Sequence, residues 1–196
     1  MKFNLSEFDA LIHRRRSIFP EQYTGEVIDR DVVRRILEHA TCAPTHKRTE
    51  PWRFSVFMGK GLARLASLQS ACYKTVTEAD GTYKEERYQG LRNKPFKSAC
   101  VIAIGMKRDE RKSVPEVEEI GAVFCALENI YLSTAAHGLA GYFSTGGVTY
   151  FEQAKALFGL GPGDRLLGFF NLGVPKEWSP AHERKPVDTV TQWIME

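Results

Sequence analysis

The sequence predicts a mixed α+β fold, and three observations carry that expectation. Helical and strand periodicities alternate irregularly along the 196 residues, whereas a chain of βαβ units would alternate them regularly. No G-x-G-x-x-G follows the first strand-like run. Gly159-x-Gly161-x-Gly163 approaches it but ends in Asp164 and precedes a strand, so a doubly wound dinucleotide-binding sheet is disfavoured. Finally, 43% hydrophobic and 26% charged residues are ordinary proportions for a globular chain. A chain of this size buries about 70% of its unfolded surface, so a single domain over residues 1–196 is expected rather than disorder.

The elements follow in order. Leu5, Phe8, Leu11 and Ile12 recur at helical spacing; Ser6 and Asp9 form an S-x-x-D start, and Arg14-Arg15-Arg16 closes the helix. Asp29 caps a second helix that buries Val32, Val33, Ile36, Leu37 and Ala40. Cys42 to Pro51, with prolines at 44 and 51, is a loop. Trp52 to Met58 is a strand and Gly61 to Tyr73 a helix. The polar stretch Thr75 to Lys94 reads as a mobile, part-helical excursion and a lid candidate. Ala99 to Met106 is apolar throughout, the pattern of a buried strand.

Pro115 then opens the strongest helix, running to His137 and lined by Val123, Phe124, Leu127, Ile130, Tyr131 and Ala135. It is apolar nearly all round, which predicts burial on most sides. Its length of about 33 Å spans a whole small domain, so a second subunit is expected to cover part of it. Leu139 to Ser144 is a short strand, and Thr149-Tyr150-Phe151-Glu152 a capping box for a helix stopping at Gly159. Leu166 to Val174 is a strand, and Pro186 to Ile194 a short helical or extended tail.

Composition excludes several classes. A net charge of +3 is too small to nominate nucleic acid, which calls for a concentrated basic face. Cys42, Cys72, Cys100 and Cys125 contain no C-x-x-C pair, so no metal site is expected and buried thiols in a reducing compartment are. Glu7 and Asp9 interrupt the first apolar stretch, unlike a secretory signal. The longest run free of Asp, Glu, Lys and Arg holds His137 and Gly138, Gly141, Gly146 and Gly147, so it is no membrane span. The cytoplasm is the expected compartment.

Four groups of residues can carry chemistry. Arg14-Arg15-Arg16-Ser17 suits a phosphate, since forked guanidinium groups and a hydroxyl donate charge-assisted bonds. The same cations also simply complement a helix C-terminus. The Ala43-Pro44-Thr45-His46-Lys47 loop presents a hydroxyl, an imidazole and an ammonium, as donors to an electron-rich ring or as ordinary surface groups. Gly141-Tyr142-Phe143-Ser144-Thr145-Gly146-Gly147 allows close backbone approach to a flat ligand, or is a turn needing positive φ. Arg184-Lys185-Pro186 is a basic cluster near the C-terminus.

The order of these groups resembles the nitroreductase-like FMN-dependent oxidoreductases, in their compact, minimal branch. The resemblance rests on Arg15-Arg16-Ser17, Ala43-Pro44 through Pro51-Trp52, the long helix from Glu116 to His137, the Gly141–Gly147 turn and Leu172-Gly173-Val174-Pro175. It implies a central, mostly antiparallel sheet flanked by helices, in an interlocked homodimer with FMN at the subunit interface. By the same resemblance, Arg15, Arg16 and Ser17 hold the FMN phosphate and ribityl chain. Thr45, His46 and Lys47 reach the flavin from the partner subunit. Phe143, Ser144, Thr145 and Gly146 lie along the ring, and Arg184 supports the phosphate. Phe19 stands where the family often has a second basic residue, a departure that weakens the phosphate grip or leaves that task to Arg184.

The implied activity is hydride transfer from NAD(P)H, as co-substrate, through the flavin to a nitroaromatic, a quinone or a similar small electron-poor acceptor. No essential acid or base is expected. A specialised flavoenzyme of dehalogenase or flavin-fragmenting type is the alternative, and a nucleic-acid module using Arg14–Arg16 the remote one.

Overall fold

The computed structural model describes residues 2–180 and 182–195. Its centre is a four-stranded sheet of β1 (Trp52–Met58), β2 (Cys100–Met106), β3 (Ala140–Ser144) and β4 (Arg165–Gly173), in the order β1-β2-β4-β3. Every neighbouring pair is antiparallel, as the resemblance implies. Among the described residues six α-helices surround it: α1 (Leu5–Arg14), α2 (Arg30–Ala40), α3 (Lys60–Ala79), α4 (Glu85–Asn93), α5 (Glu116–Ala136) and α6 (Glu152–Leu157).

The unbroken apolar run of β2 has a direct cause. Cys100, Ile102, Ile104 and Met106 pack into a core with α2 and α5, while Val101 and Ala103 pack into a second core with α3 and α6. Both faces of a central strand are thus dry, and period-2 alternation of polarity disappears. On β4, a register shift opposite Ile104/Gly105 reverses the alternation. Leu166 and Phe169 both reach the α3 core, while Leu167, Phe170 and Leu172 belong to the α5 core. Gly168 sits at this bulge with φ +153°, and a Cβ there would meet the Ser144 carbonyl oxygen at 2.6 Å.

α5 is pinned at its N-terminal end by charge. Glu119, 1% exposed, pairs with the Arg108 guanidinium and accepts the Asp109 N–H at 2.9 Å. Arg165 pairs with Glu116 at 2.7 Å. These contacts join the start of α5 to the end of β2 and the start of β4.

Several expectations need correction. The α1 cap is Asn4, whose Oδ1 accepts the Glu7 N–H at 3.3 Å, not Ser6. Thr149 forms no capping box; its hydroxyl donates to the Gly146 carbonyl at 2.9 Å, and Phe151 stands at the cap of α6. The helix expected to stop at Tyr73 continues to Ala79, and most of 75–94 is helical. The reason is burial: Tyr73 and Thr77 are 4% exposed, and Tyr73 packs against Tyr83 and Phe151 at ring separations of 6.0 and 6.4 Å. Of the four thiols only Cys100 is buried; Cys42 and Cys125 are exposed. Burial pushes the Cys100 thiol up to about 12. α5 is covered on the sheet side, but Val117 (72%), Phe124 (44%) and Cys125 face outward. No helix among the described residues is long and apolar enough to cross a membrane.

Gly168→Ala is expected to cost about 3 kcal/mol, because a methyl meets backbone where the chain has no room to move. A urea unfolding midpoint equal to that of the parent chain would contradict this.

Candidate functional site

The segment after α1 is laid beside β3. Ser17 forms a parallel bridge with Gly141, and the Ile18 N–H donates to the Gly141 carbonyl at 3.1 Å. Ile18 is fully buried, and the Tyr23 hydroxyl, donating to its carbonyl at 2.9 Å, fastens it from below. Burial pushes the Tyr23 phenol well above its ordinary value, so it remains a donor.

That docking brings three of the expected residues around one side chain of α5. The Tyr131 hydroxyl accepts the Phe143 N–H at 2.8 Å and shares a 3.2 Å hydrogen bond with Ser17 Oγ. The Arg15 guanidinium lies over the Tyr131 ring, 5.1 Å from its centroid, with Glu128 at 3.7 Å. Arg16 points elsewhere. Its Nε donates to the Pro180 carbonyl at 3.0 Å, and its Nη1 to the carbonyls of His13 and Arg15 at 2.7 and 2.6 Å. It therefore ties the end of α1 to the C-terminal segment. A cleft of about 640 Å³ opens beside it, lined by Leu11, Arg14, Arg16, Ala135 and Trp178.

The pleat of β3 separates two residues expected on one ligand face. Phe143 packs with the α5 core, edge-on to Phe124 at 6.1 Å. Ser144 points to the opposite side, where with Gly146, Gly147, Gln69, Lys94 and Asn171 it lines a narrow space of about 70 Å³. Beyond Ser144 the sheet ends. Among the described residues, the N–H groups of Thr145, Gly146 and Gly147 have no acceptor within the chain. These are three consecutive free donors at a sheet edge, and a Cβ on Gly146 would meet nothing within 4 Å.

Thr45, His46 and Lys47 lie far away. Lys47, Arg48 and Glu50 all take positive φ, a tight conformation for side-chain-bearing residues. His46 Nδ1 is 2.5 Å from Glu118 Oε2, and Lys47 Nζ donates to the Ser113 carbonyl at 2.7 Å. Thr45 Oγ1 pairs with Thr49 and accepts the Glu50 N–H. This group sits at the start of α5, and Tyr131 stands 13 residues further on, about 20 Å along the axis. One chain does not unite the two. Arg184 is exposed in the tail beyond Pro180. Phe19 is half exposed, its ring 4.5 Å from that of Tyr142.

Sequence reasoning placed Tyr131 only as a helix-lining residue. Its signal was available: a buried-helix tyrosine has a hydroxyl that needs a partner. Gln69, 6% exposed on α3, carried no such signal.

Comparison with known proteins bears on this geometry. The model of the Nitroreductase family matches residues 12–174. The provisionally named NAD(P)H nitroreductase YdjA of Escherichia coli (strain K12) is 28% identical over 174 residues, 88% of this chain and 90% of that protein. YfhC of Bacillus subtilis (strain 168), similarly named, is 26% identical over 178 residues, covering 90% and 89%. Among solved structures, the nitroreductase-like family protein from Bacillus cereus superposes with a TM-score of 0.82 at 22% identity, covering 100% of this chain and 98% of that one. The FMN-dependent nitroreductase NfnB from Mycobacterium smegmatis, solved with NADPH, superposes at 0.72 and 16% identity, covering 98% and 100%.

Arg16→Lys keeps the charge but cannot reach three carbonyls. Chymotryptic cleavage after Trp178, next to the Pro180 carbonyl that Arg16 holds, should accelerate about tenfold, as expected for losing about 1.4 kcal/mol of bonding. Arg15→Lys should leave that cleavage at the parent rate, and equal acceleration by both would refute the assignment.

Proposed function

Since the chain belongs to the nitroreductase family, we propose that it is an FMN-dependent oxidoreductase. It takes hydride from NAD(P)H and reduces nitroaromatic, quinone or similar electron-poor acceptors. The observation that carries this reading is the pairing of two donor sets at the end of the sheet. Arg15 and Ser17 are gathered on Tyr131, and the amides of Thr145–Gly147 donate to nothing in the chain. A phosphate and a flat ring rich in acceptor atoms match such donors.

The residues present fit FMN. Arg15 and Ser17 would hold its phosphate, with Arg184 in support, and the free amides would donate to the ring edge. Phe143 would flank it on the α5 side, with Ser144 on the other side of the strand. Arg16 would act indirectly, by fastening the segment that carries Arg15 and Ser17. FMN, when bound, supplies hydride acceptance and donation. The protein's own part is to bind, to orient and to place positive charge nearby. No side chain of this group is placed as an acid or base.

The reading includes a homodimer. His46 and Lys47 stand about 20 Å from Tyr131 along α5 within one chain, so they serve this site only if a second copy presents them. The chain also leaves apolar surface uncovered: Phe3, Leu5, Phe8 and Ile12 around α1, Phe124 on α5, and Val190, Trp193 and Ile194 in the tail are all at least 40% exposed. No residue of α1 is buried. Such a surface matches the apolar interface of an obligate dimer.

Purified protein should absorb as a flavoprotein, or take up added FMN, and then consume NAD(P)H when a nitroarene or quinone is supplied. Arg15→Ala should weaken FMN binding by about 10–100-fold, the loss of one or two charge-assisted bonds. A colourless protein that ignores FMN would sink the proposal. Light scattering should give twice the 22.2 kDa chain mass; the mass of one chain would overturn the dimer.

A further inference from the structure

Tyr131 ties the hydrophobic core to the donor groups of the site. Its ring is fixed from below by Phe170, fully buried and edge-on at 4.8 Å. Its hydroxyl oxygen receives the Phe143 N–H at 2.8 Å. An amide can only donate, so that bond fixes the phenol oxygen as acceptor on one side. Its single proton is then available to Ser17 Oγ at 3.2 Å. A serine that accepts from Tyr131 has its own hydroxyl proton free to point outward, toward an anion. Above the same ring the Arg15 guanidinium lies 5.1 Å from the centroid, its side chain only 18% exposed. Among the described residues, the one carboxylate paired with Arg15 is Glu128 at 3.7 Å, itself 55% exposed and free to swing into water.

We propose that Tyr131 is the positioning residue of the phosphate-binding end of the site. It sets the proton of Ser17 outward, holds Arg15 over its ring and locks the strand at Phe143, without touching the reacting atoms. This rests on the FMN reading above. It goes beyond it by assigning the phosphate contact to a hydrogen-bond polarity that begins on α5. Tyr131 discriminates between ligands with and without a terminal phosphate, because both groups it orients are donors to that phosphate.

Tyr131→Phe tests this, since the ring, the Arg15 stacking and the Phe170 contact all survive while the hydroxyl is removed. FMN and riboflavin are titrated separately by fluorescence quenching into the full-length protein. The expected result is an FMN Kd raised about tenfold with the riboflavin Kd changed less than twofold. In a Ser17→Ala background the same substitution should add less than twofold to the FMN Kd, because no serine proton is then left for the hydroxyl to direct at the phosphate. A residue serving stability alone would weaken both flavins equally, and that result overturns the proposal, as does an unchanged FMN Kd. Full additivity with Ser17→Ala overturns it as well. If the unaltered protein binds neither flavin, the FMN reading itself has failed and this role falls with it. That failure is recognisable because it appears before any substitution is made.

Discussion

The arrangement depends on α5 lying across one face of the sheet in a single register. Val123, Ala126, Leu127 and Ile130 are buried there against Ile102, Ile104, Phe170 and Leu172. Each large side chain contributes about 1.5–3 kcal/mol of transfer energy. Apolar contact alone tolerates sliding, since one aliphatic surface resembles another. What fixes the register is polar, and it acts at both ends: Glu119 with Arg108 and the Asp109 amide at one, Tyr131 with Phe143 and Ser17 at the other. A one-residue shift of α5 would strand a carboxylate inside the protein, far costlier than losing a methyl contact.

From that helix the distribution of chemistry follows. The donors gathered at Tyr131 and the His46–Lys47 turn at Glu118 are attached to opposite ends of the same rod. The rod's length keeps them apart in one chain, while its outer face shows Phe124 and Val117 to solvent. Under the proposed dimer these two facts have one explanation: a second copy covers the outer face and in doing so brings its own His46 turn toward Tyr131.

Much of the fold was legible in the sequence where burial is two-sided or a cap is unambiguous. β1 matches to the residue, and β2, β4 and α5 to within one. Asp29 caps α2 as expected, its carboxylate accepting the Asp31 N–H at 2.7 Å. The misread points are those where local signals compete. Asn4 and Ser6 are both acceptable caps, and the chain uses Asn4, whose side chain accepts the Glu7 N–H. Thr149 has the spacing of a capping box, but the Gly146 carbonyl is closer at hand. The extension of α3 past Tyr73 is invisible in its polar composition, because the rings that bury Tyr73 are Tyr83, beyond the helix end, and Phe151, far along the chain.

The sequence by itself determined the class of fold, the position of the strands and of the long helix, and the residue types able to grip a phosphate. These depend on periodicity and side-chain chemistry, both local properties. Only the tertiary structure decided which of those residues act together. Arg15 and Arg16 are adjacent in sequence, yet one lies on an aromatic ring at the site while the other clamps a distant carbonyl. Phe143 and Ser144 are likewise adjacent, yet the pleat sends them to opposite faces. Direction is set by backbone geometry and by partners from remote segments, and Tyr131, the residue that gathers the donors, enters the site solely through the packing of α5.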